Sequence, residues 1–256
     1  MGVLETLFPA RCAACDTGTW PICGRCSDRV GVTVPPWCAR CGRPAEEPLD
    51  TCGDCPPEEI DGARAAFLYH GPIARAIKGM KFAGWRVLAE HLGAAMSQIW
   101  DLGRVDAVTW VPLSPRRRAR RGFDQAEALA RAVGPRLRTP SMRLLERIRD
   151  TPAQARRRGP DRRIALHEAF RAAGSSPEHV VLVDDVLTTG ATAAACAAAL
   201  RGAGARRVFV LTAARSVGGP VPARCYGPTW KRAGSTATMG GGLAPGSVVA
   251  RGVSLR

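Results

Sequence analysis

The sequence predicts an α/β protein in which a small cysteine-rich module precedes a buried parallel sheet. Eight of the ten cysteines lie within the first 55 residues. Beyond them, short all-apolar runs alternate with segments that carry apolar residues at helical spacing, as in 180–183 followed by 190–200. Strands that are apolar on both faces are typical of a parallel sheet covered by helices. A chain of 256 residues that is 46% apolar can bury one sizeable core and a small satellite.

The predicted elements follow one another in the strand and helix order of such a sheet. In chain order they are a strand at 64–69, a helical region at 73–99 interrupted around Gly84, a strand at 105–111, a helix at 124–132, a strand at 180–183, a helix at 190–200 and a strand at 207–212. Ligands in open α/β sheets bind at the carboxyl ends of the strands. The residues that follow each strand are therefore the candidates for a site.

The predicted domain organisation is a zinc-binding module at 1–60, the α/β domain at 61–215 and a tail at 216–256. The tail contains no acidic residue and little periodicity, and we expect it to be disordered. No apolar run approaches the ~20 residues that span a membrane, and the chain does not begin with a secretory signal. We therefore expect a cytoplasmic protein with no membrane span.

The clustered cysteines form four Cys-x-x-Cys pairs: Cys12/Cys15, Cys23/Cys26, Cys38/Cys41 and Cys52/Cys55. One such pair directs two thiolates at a tetrahedral Zn²⁺, and two pairs close a structural site. Four pairs therefore predict two structural zinc ions; disulfides or redox pairs are the alternative. The similar spacers within successive pairs, seven and ten residues, favour joining the first pair with the second and the third with the fourth, but interleaved pairing remains open.

The most informative stretch runs from Val180 to Thr192. A buried strand delivers two adjacent carboxylates, Asp184 and Asp185, and a hydroxyl-rich loop then enters a helix: Thr188, Thr189, Gly190, Ala191 and Thr192. Hydroxyls and the unpaired amides of a helix N-terminus bind phosphate, and carboxylates accept hydrogen bonds from sugar hydroxyls. A sugar phosphate fits both halves. The alternative is an ordinary helix cap with solvated aspartates. No Gly-Lys-Ser/Thr follows, so a Walker A loop is unsupported.

The charge of the chain predicts a polyanionic partner. The net charge is +15 and the isoelectric point is about 10.4. Residues 104–171 hold 18 arginines and seven acidic residues, so +11 comes from this one stretch. A composition bias explains why 34 of the 37 basic residues are arginine, but it does not explain this clustering.

The stretch from Val180 to Thr192 resembles the phosphoribosyl pyrophosphate (PRPP) motif of type I phosphoribosyltransferases. The chain as a whole resembles the ComF family of competence-associated proteins, in which a zinc module precedes such a domain. The resemblance extends from about Leu7 to Arg215. Its other landmarks are Phe8-Pro9-x-x-Cys12-x-x-Cys15, Tyr69-His70-Gly71, Lys81-Phe82-x-Gly84, Val111-Pro112-Leu113, Arg121-Gly122-Phe123 and Arg147-x-Arg149-x-Thr151-x-x-Gln154.

The resemblance implies roles for individual residues. Asp184 and Asp185 would hold the ribose hydroxyls, with Mg²⁺ bridging sugar and pyrophosphate, and 188–192 would seat the 5-phosphate. The pyrophosphate loop would be Ser114 to Arg117, where Arg116 and Arg117 pair with phosphate oxygens; a solvated basic loop is the alternative. Residues 147–163 would form a mobile loop that closes over the reaction, or else a plain linker.

The resemblance also implies an activity, the displacement of pyrophosphate at the anomeric carbon, with arginines and Mg²⁺ stabilising the departing charge. It links the family to uptake of single-stranded DNA in natural transformation, with competence helicase or pore proteins as partners, but it supplies no phosphoribosyl acceptor. Asp124 stands where the family usually has Asn, an expected Asn before Ala169-Phe170 is missing, and no nucleobase-recognising hood is identifiable. The alternative is a non-catalytic module that binds PRPP, another sugar phosphate or phosphates alone, while arginines of 116–121 and 156–163 grip single-stranded DNA.

Overall fold

A computed structural model describes residues 11–82, 86–149 and 168–226. Within these ranges the strands are β1 (Gly62–Leu68), β2 (Ala107–Trp110), β3 (Leu145–Arg147), β4 (Phe170–Ala172), β5 (His179–Leu187) and β6 (Arg207–Arg215). The α-helices of the same ranges are α1 (Gly24–Ser27), α2 (Gly71–Phe82), α3 (Leu88–Gln98), α4 (Pro115–Arg121), α5 (Gln125–Arg136) and α6 (Ala191–Gly202). None of these helices combines the length and the apolar character that crossing a bilayer requires.

The central sheet has four parallel strands in the order β1-β6-β5-β2. Its strands are buried on both faces, as their apolar sequences predict. Alternate residues of β5 enter two different cores: Val181 and Val183 pack with α2, α3 and α5, whereas Val180 and Leu182 pack with α6 and the small antiparallel pair β3-β4. The predicted fold class, a helix-covered parallel sheet preceded by a cysteine-rich module, is confirmed.

At the carboxyl edge of the sheet the connections diverge between β5 and β2, and this point is called the crevice below. Strand β2 pairs with β5 only as far as Trp110 opposite Val183, while β5 continues in register with β6 to Leu187 opposite Arg215. The helices that follow β2 and β5, α5 and α6, lie on opposite faces of the sheet. Parallel α/β sheets bind ligands where the connections diverge in this way. The crevice is therefore lined by the end of β5 and by the segment after β2.

Three differences from the predicted elements have local physical causes. Strand β5 extends past the predicted end at residue 183 because β6 continues to pair with it, so Asp184 and Asp185 lie within a strand. The predicted loop after β2 forms the short helix α4, which buries none of its residues and has no apolar face to detect. Strands β3 and β4 have three residues each, which is too short for a strand pattern to be recognised in the sequence.

The cysteine-rich module is joined to the sheet and to the chain that follows β6. The Ala63 N–H of β1 donates to the Arg40 carbonyl oxygen at 2.8 Å. Val221 and Cys225 are buried, and the Val32 N–H donates to the Cys225 carbonyl oxygen at 2.8 Å. The packed chain thus continues past the predicted boundary at residue 215 to Tyr226, because apolar residues beyond it have a surface to cover. Residues 227–256 of the predicted tail lie outside the described ranges.

Candidate functional site

The clustered cysteines form two groups of four, Cys12, Cys15, Cys23 and Cys26 in the first and Cys38, Cys41, Cys52 and Cys55 in the second. Within each group the sulfur atoms lie within 4.8 Å of one another. Sequential pairing of the motifs is therefore confirmed. All ten cysteines lie in the described ranges and none forms a disulfide.

The geometry of both groups fits tetrahedral zinc. Sulfur atoms about 2.3 Å from a common Zn²⁺ lie about 3.8 Å apart, and the Sγ atoms of Cys15 and Cys23 lie 3.7 Å apart. In the second group, Cys38 and Cys55 are separated by 3.6 Å and Cys41 and Cys52 by 3.5 Å. Each group supplies four thiolate ligands, so each is a closed structural zinc-binding site.

Asp185 is buried at the crevice and held by a cation. It is 4% exposed, and its Oδ2 lies 2.7 Å from the Nζ of Lys81, the penultimate residue of α2. The same oxygen accepts a hydrogen bond from Gln125 Nε2 at 3.3 Å, and Arg121 donates to Gln125 Oε1 at 2.9 Å. These contacts tie α2, α4 and α5 to β5. Asp185 is thus charge-compensated within the protein.

Asp184 differs from its neighbour because it is only half-buried. Burial, and then the adjacent charge of Asp185, raise its pKa to about 8, although the Asp185 N–H donates to its Oδ1 at 2.8 Å. A carboxyl with such a pKa is mostly protonated near neutral pH. A cation or a set of sugar hydroxyls that bound it would favour its ionised form. Asp184 is therefore the acidic group of this pair that is available to a ligand.

The hydroxyl-rich loop joins this acid to a helix N-terminus. Thr188 and Thr189 are exposed, Gly190 is buried at a φ of +77° as the N-cap of α6, and Ala191 and Thr192 are half-buried in its first turn. The first amides of a helix have no intrahelical acceptor. Here the Ala191 N–H makes a long contact of 3.5 Å with Thr189 Oγ1, and no side chain caps the helix. This loop therefore has exposed hydroxyls and an uncapped helix N-terminus beside it.

The segment after β2 forms the opposite wall of the crevice. Ser114 is fully buried and its Oγ accepts from the Arg117 N–H at 3.4 Å, so the hydroxyl is used as the N-cap of α4. Arg116 is exposed and Arg117 half-buried. Buried Asp124 fixes the wall, because it caps α5 and accepts from the Leu113 N–H at 2.9 Å.

The structure brings some of the predicted site residues together and not others. Asp184, Asp185 and the loop 188–192 lie on consecutive positions at one edge, with Ser114, Arg116 and Arg117 after the neighbouring strand. Of the predicted mobile loop at 147–163, residues 150–163 lie outside the described ranges, as do Phe8, Pro9 and Gly84. Arg149 pairs with Glu168, and the Arg147 guanidinium lies 5.1 Å from the centre of the Phe170 ring.

The partners of three residues of the site are not predicted from the sequence. Lys81 and Gln125 reach Asp185 from distant helices, and Arg215 at the end of β6 is 1% exposed and donates to Cys41 Sγ at 3.3 Å. Lys81 belongs to the segment Lys81-Phe82-x-Gly84, which resembles the family, but the neighbouring sequence does not indicate that Asp185 is its partner. For Arg215 the sequence does give an indication: a cationic residue at the end of an apolar strand is expected to be buried and therefore to need an anionic partner.

Comparison with known proteins matches the cysteine-rich module to a family model and most of the chain to competence and DNA utilization proteins. Residues 3–56 match the family model described as a double zinc ribbon domain. Competence protein F of Haemophilus influenzae is 30% identical over an alignment of 209 positions, which covers 76% of this chain and 90% of that protein. DNA utilization protein YhgH of Salmonella typhimurium is 31% identical, covering 77% and 92% of the two chains. Competence protein ComFC of Streptococcus pneumoniae is 27% identical, covering 76% and 87%.

Among solved structures, the glutamine PRPP amidotransferase of B. subtilis complexed with ADP and GMP matches at 24% identity and a TM-score of 0.34. The match covers 49% of this chain and 26% of the amidotransferase, about a quarter of its length.

The two four-cysteine groups predict a stepwise loss of metal. The wild-type chain is expected to hold about two zinc ions, and Cys12→Ser and Cys41→Ser are each expected to lose about one, because three ligands hold the ion less tightly than four. Atomic absorption on the purified chains measures this. Loss of both ions in either variant would show that the two groups do not act as separate centres.

Lys81 is expected to stabilise the fold only while Asp185 is charged. Lys81→Met should lower the free energy of unfolding by about 3–5 kcal/mol, because it leaves a buried carboxylate without its cation. Combining it with Asp185→Asn should restore most of that loss. Chemical denaturation of the four chains of this cycle gives the values. Lys78→Met, at an exposed position of the same helix, is the matched control; a similar loss there would refute the ion-pair explanation.

Proposed function

This chain belongs to the competence protein F (ComF) family, and we propose that its α/β domain binds PRPP with Mg²⁺ in the crevice at the carboxyl edge of the sheet. The observation that carries the proposal is the joining of a ligand-accessible carboxyl, Asp184, to the amide-presenting loop of α6 at the point where β2 has ended. A sugar with an anionic substituent needs a carboxylate for its hydroxyls and donors for its anionic group, and this site has both. An ordinary helix cap requires neither the acid nor the crevice.

The anionic end of the ligand is assigned to the loop. The amides at the start of α6 and the exposed hydroxyls of Thr188 and Thr189 supply donors, and the helix dipole favours negative charge at this end. The helix has 12 residues, long enough for a full dipole. The 5-phosphate of PRPP is the group that fits there.

The sugar is assigned to the carboxyl of Asp184. An ionised carboxylate accepts hydrogen bonds from two vicinal hydroxyls, which orients the ribose on the strand end. Asp185 takes a different role, because Lys81 and Gln125 already use its Oδ2. We assign it to positioning: it fixes the strand end and supplies the neighbouring charge that tunes Asp184.

The pyrophosphate is assigned to the opposite wall, where Arg116 and Arg117 lie near the start of α4. One guanidinium group donates two parallel hydrogen bonds to two phosphate oxygens, and it stays charged at all relevant pH values. Bound Mg²⁺ would neutralise the pyrophosphate further, with the Asp184 carboxylate as the side chain placed to hold it. If the chain is catalytic, these residues stabilise the charge that develops as pyrophosphate leaves the anomeric carbon.

The proposal is tested by titration calorimetry of the full chain with PRPP and Mg²⁺. Asp184→Asn should weaken binding by about 10- to 100-fold, the loss of a charge-assisted interaction. Because the pKa of Asp184 is raised to about 8, wild-type affinity should rise as the pH increases from about 6 to 9 and the carboxyl ionises.

Glu178→Gln provides the matched control, since Glu178 lies just before β5 at the opposite, amino edge of the sheet. It should bind as the wild type does. Equal affinity for Asp184→Asn and the wild type would remove the proposed site, and affinity that falls with rising pH would contradict the role given to Asp184.

A second function is favoured by helix α4. Five of its seven residues are arginine and none of the seven is buried. A relative is named as a DNA utilization protein, and we propose that this helix binds the backbone of single-stranded DNA. Phe123 beside it is buried under the Arg86 guanidinium, 4.9 Å from its ring centre. It therefore offers no face for base stacking, and binding should be electrostatic and weakly selective for sequence.

Replacing Arg116, Arg118 and Arg120 by Ala should flatten the salt dependence of oligonucleotide binding. Each lost phosphate contact lowers the log–log slope by about 0.7, so about 2 is expected for all three. Fluorescence anisotropy with a labelled oligo-dT across a salt series measures the slope. The pair Arg206→Ala and Arg207→Ala, exposed at the amino edge of the sheet, is the control. An unchanged slope in the α4 variant would exclude this surface.

A further inference from the structure

The second four-cysteine group lies at the same edge of the sheet as the hydroxyl-rich loop 188–192, which is called the phosphate loop from here on. Two sets of contacts join the group to this loop. The first set runs through Arg215, the last residue of β6. Its guanidinium donates to Cys41 Sγ at 3.3 Å, to the carbonyl oxygen of the same cysteine, and to the Asp54 carbonyl oxygen at 3.5 Å. The side chain is 1% exposed. Its charge therefore has the cysteine group as its partner.

The backbone of this strand end is in turn bonded to the start of the loop. Arg215 lies opposite Leu187 in the sheet, and the Ser216 N–H donates to the Leu187 carbonyl oxygen at 2.8 Å. Thr188, the first residue of the loop, follows directly. A shift of Arg215 would thus move the residue from which the loop departs.

The second set of contacts runs through the two prolines that follow Cys55. A Cβ added to Gly190 would lie 2.9 Å from Pro56 Cβ and 3.1 Å from Pro57 Cδ. Pro56 is buried against the glycine, whose φ of +77° also disfavours any side chain. The last zinc ligand is therefore one residue away from a direct contact with the centre of the loop.

The first four-cysteine group has different neighbours. Its cysteines pack in the core that contains α2 and α3, and Arg75 of α2 donates to the Ala14 carbonyl oxygen at 2.6 Å. No described contact of this group reaches the loop 188–192. The two groups are thus chemically alike but lie against different parts of the fold. A change in the first group therefore serves as the control for the same change in the second.

We infer that the second four-cysteine group positions the phosphate loop, so that zinc in this group, and not merely zinc in the module, sets the affinity of the loop for its anion. The inference rests on the proposed function of the loop. Four thiolates and one Zn²⁺ carry a net charge of about −2, which the buried Arg215 partly offsets. Without the metal, 52–57 lose their fixed geometry and Arg215 loses its partner.

Amide hydrogen exchange on the full chain tests the inference without any ligand. In Cys41→Ser, exchange of the Ala194 and Ser216 amides, which donate to the Gly190 and Leu187 carbonyl oxygens on either side of the loop, should accelerate by at least about tenfold more than in Cys12→Ser, with each variant retaining about one zinc. Equal acceleration in the two variants would overturn the inference.

A second variant keeps all eight thiolates. Pro56→Gly removes the proline that packs on Gly190 and should retain about two zinc ions, yet it should accelerate exchange of the Ala194 amide, which donates to the Gly190 carbonyl oxygen, and weaken PRPP binding about tenfold. Pro48→Gly, at an exposed proline of the same module, is the control. Unchanged exchange in Pro56→Gly would also overturn the inference. A wild-type chain that does not bind PRPP would instead refute the proposed function, while the exchange data would still decide this inference.

Discussion

The unequal pairing of β5 with its two neighbours determines where the candidate site lies. Strand β5 stays in register with β6 through Leu187, but β2 ends opposite Val183. Between these two points β5 is fixed by β6 on one side, while Asp184 and Val186 remain only half-buried. A chain segment that is both fixed and accessible is what a ligand site requires. The same register places Arg215 beside the loop, and so connects the crevice to the cysteine-rich module.

The two adjacent aspartates show how environment divides one sequence motif into two roles. Asp185 points towards α2 and α5, where a lysine and an amide offset the cost of its burial. Asp184, on the other face of the strand, lacks such a cation within hydrogen-bond distance in the described ranges. Burial first and the neighbouring charge of Asp185 second raise the pKa of Asp184 to about 8. The carboxyl that is costlier to ionise is the one that gains most from a ligand.

Local patterns in the sequence predicted the parts of the structure that depend on local physics. The apolar strands, the division of 73–99 into two helices and the four cysteine pairs follow from composition and spacing, and their positions agree with the structure. The partners of buried charges do not follow, because Lys81 and Asp185 are separated by most of the domain and only the fold brings them together. Helix α4 was missed for another reason: it has no buried face, so it leaves no periodic signal.

Phosphorus NMR of Mg²⁺-bound PRPP, titrated with the full chain, distinguishes binding of the two ends of the ligand, because the 5-phosphate and the pyrophosphate give separate resonances. We expect the 5-phosphate resonance to broaden and shift together with those of the pyrophosphate, since the loop before α6 is proposed to hold one end and the arginines after β2 the other. A response confined to the pyrophosphate resonances, as surface arginines alone would produce, would contradict this proposal.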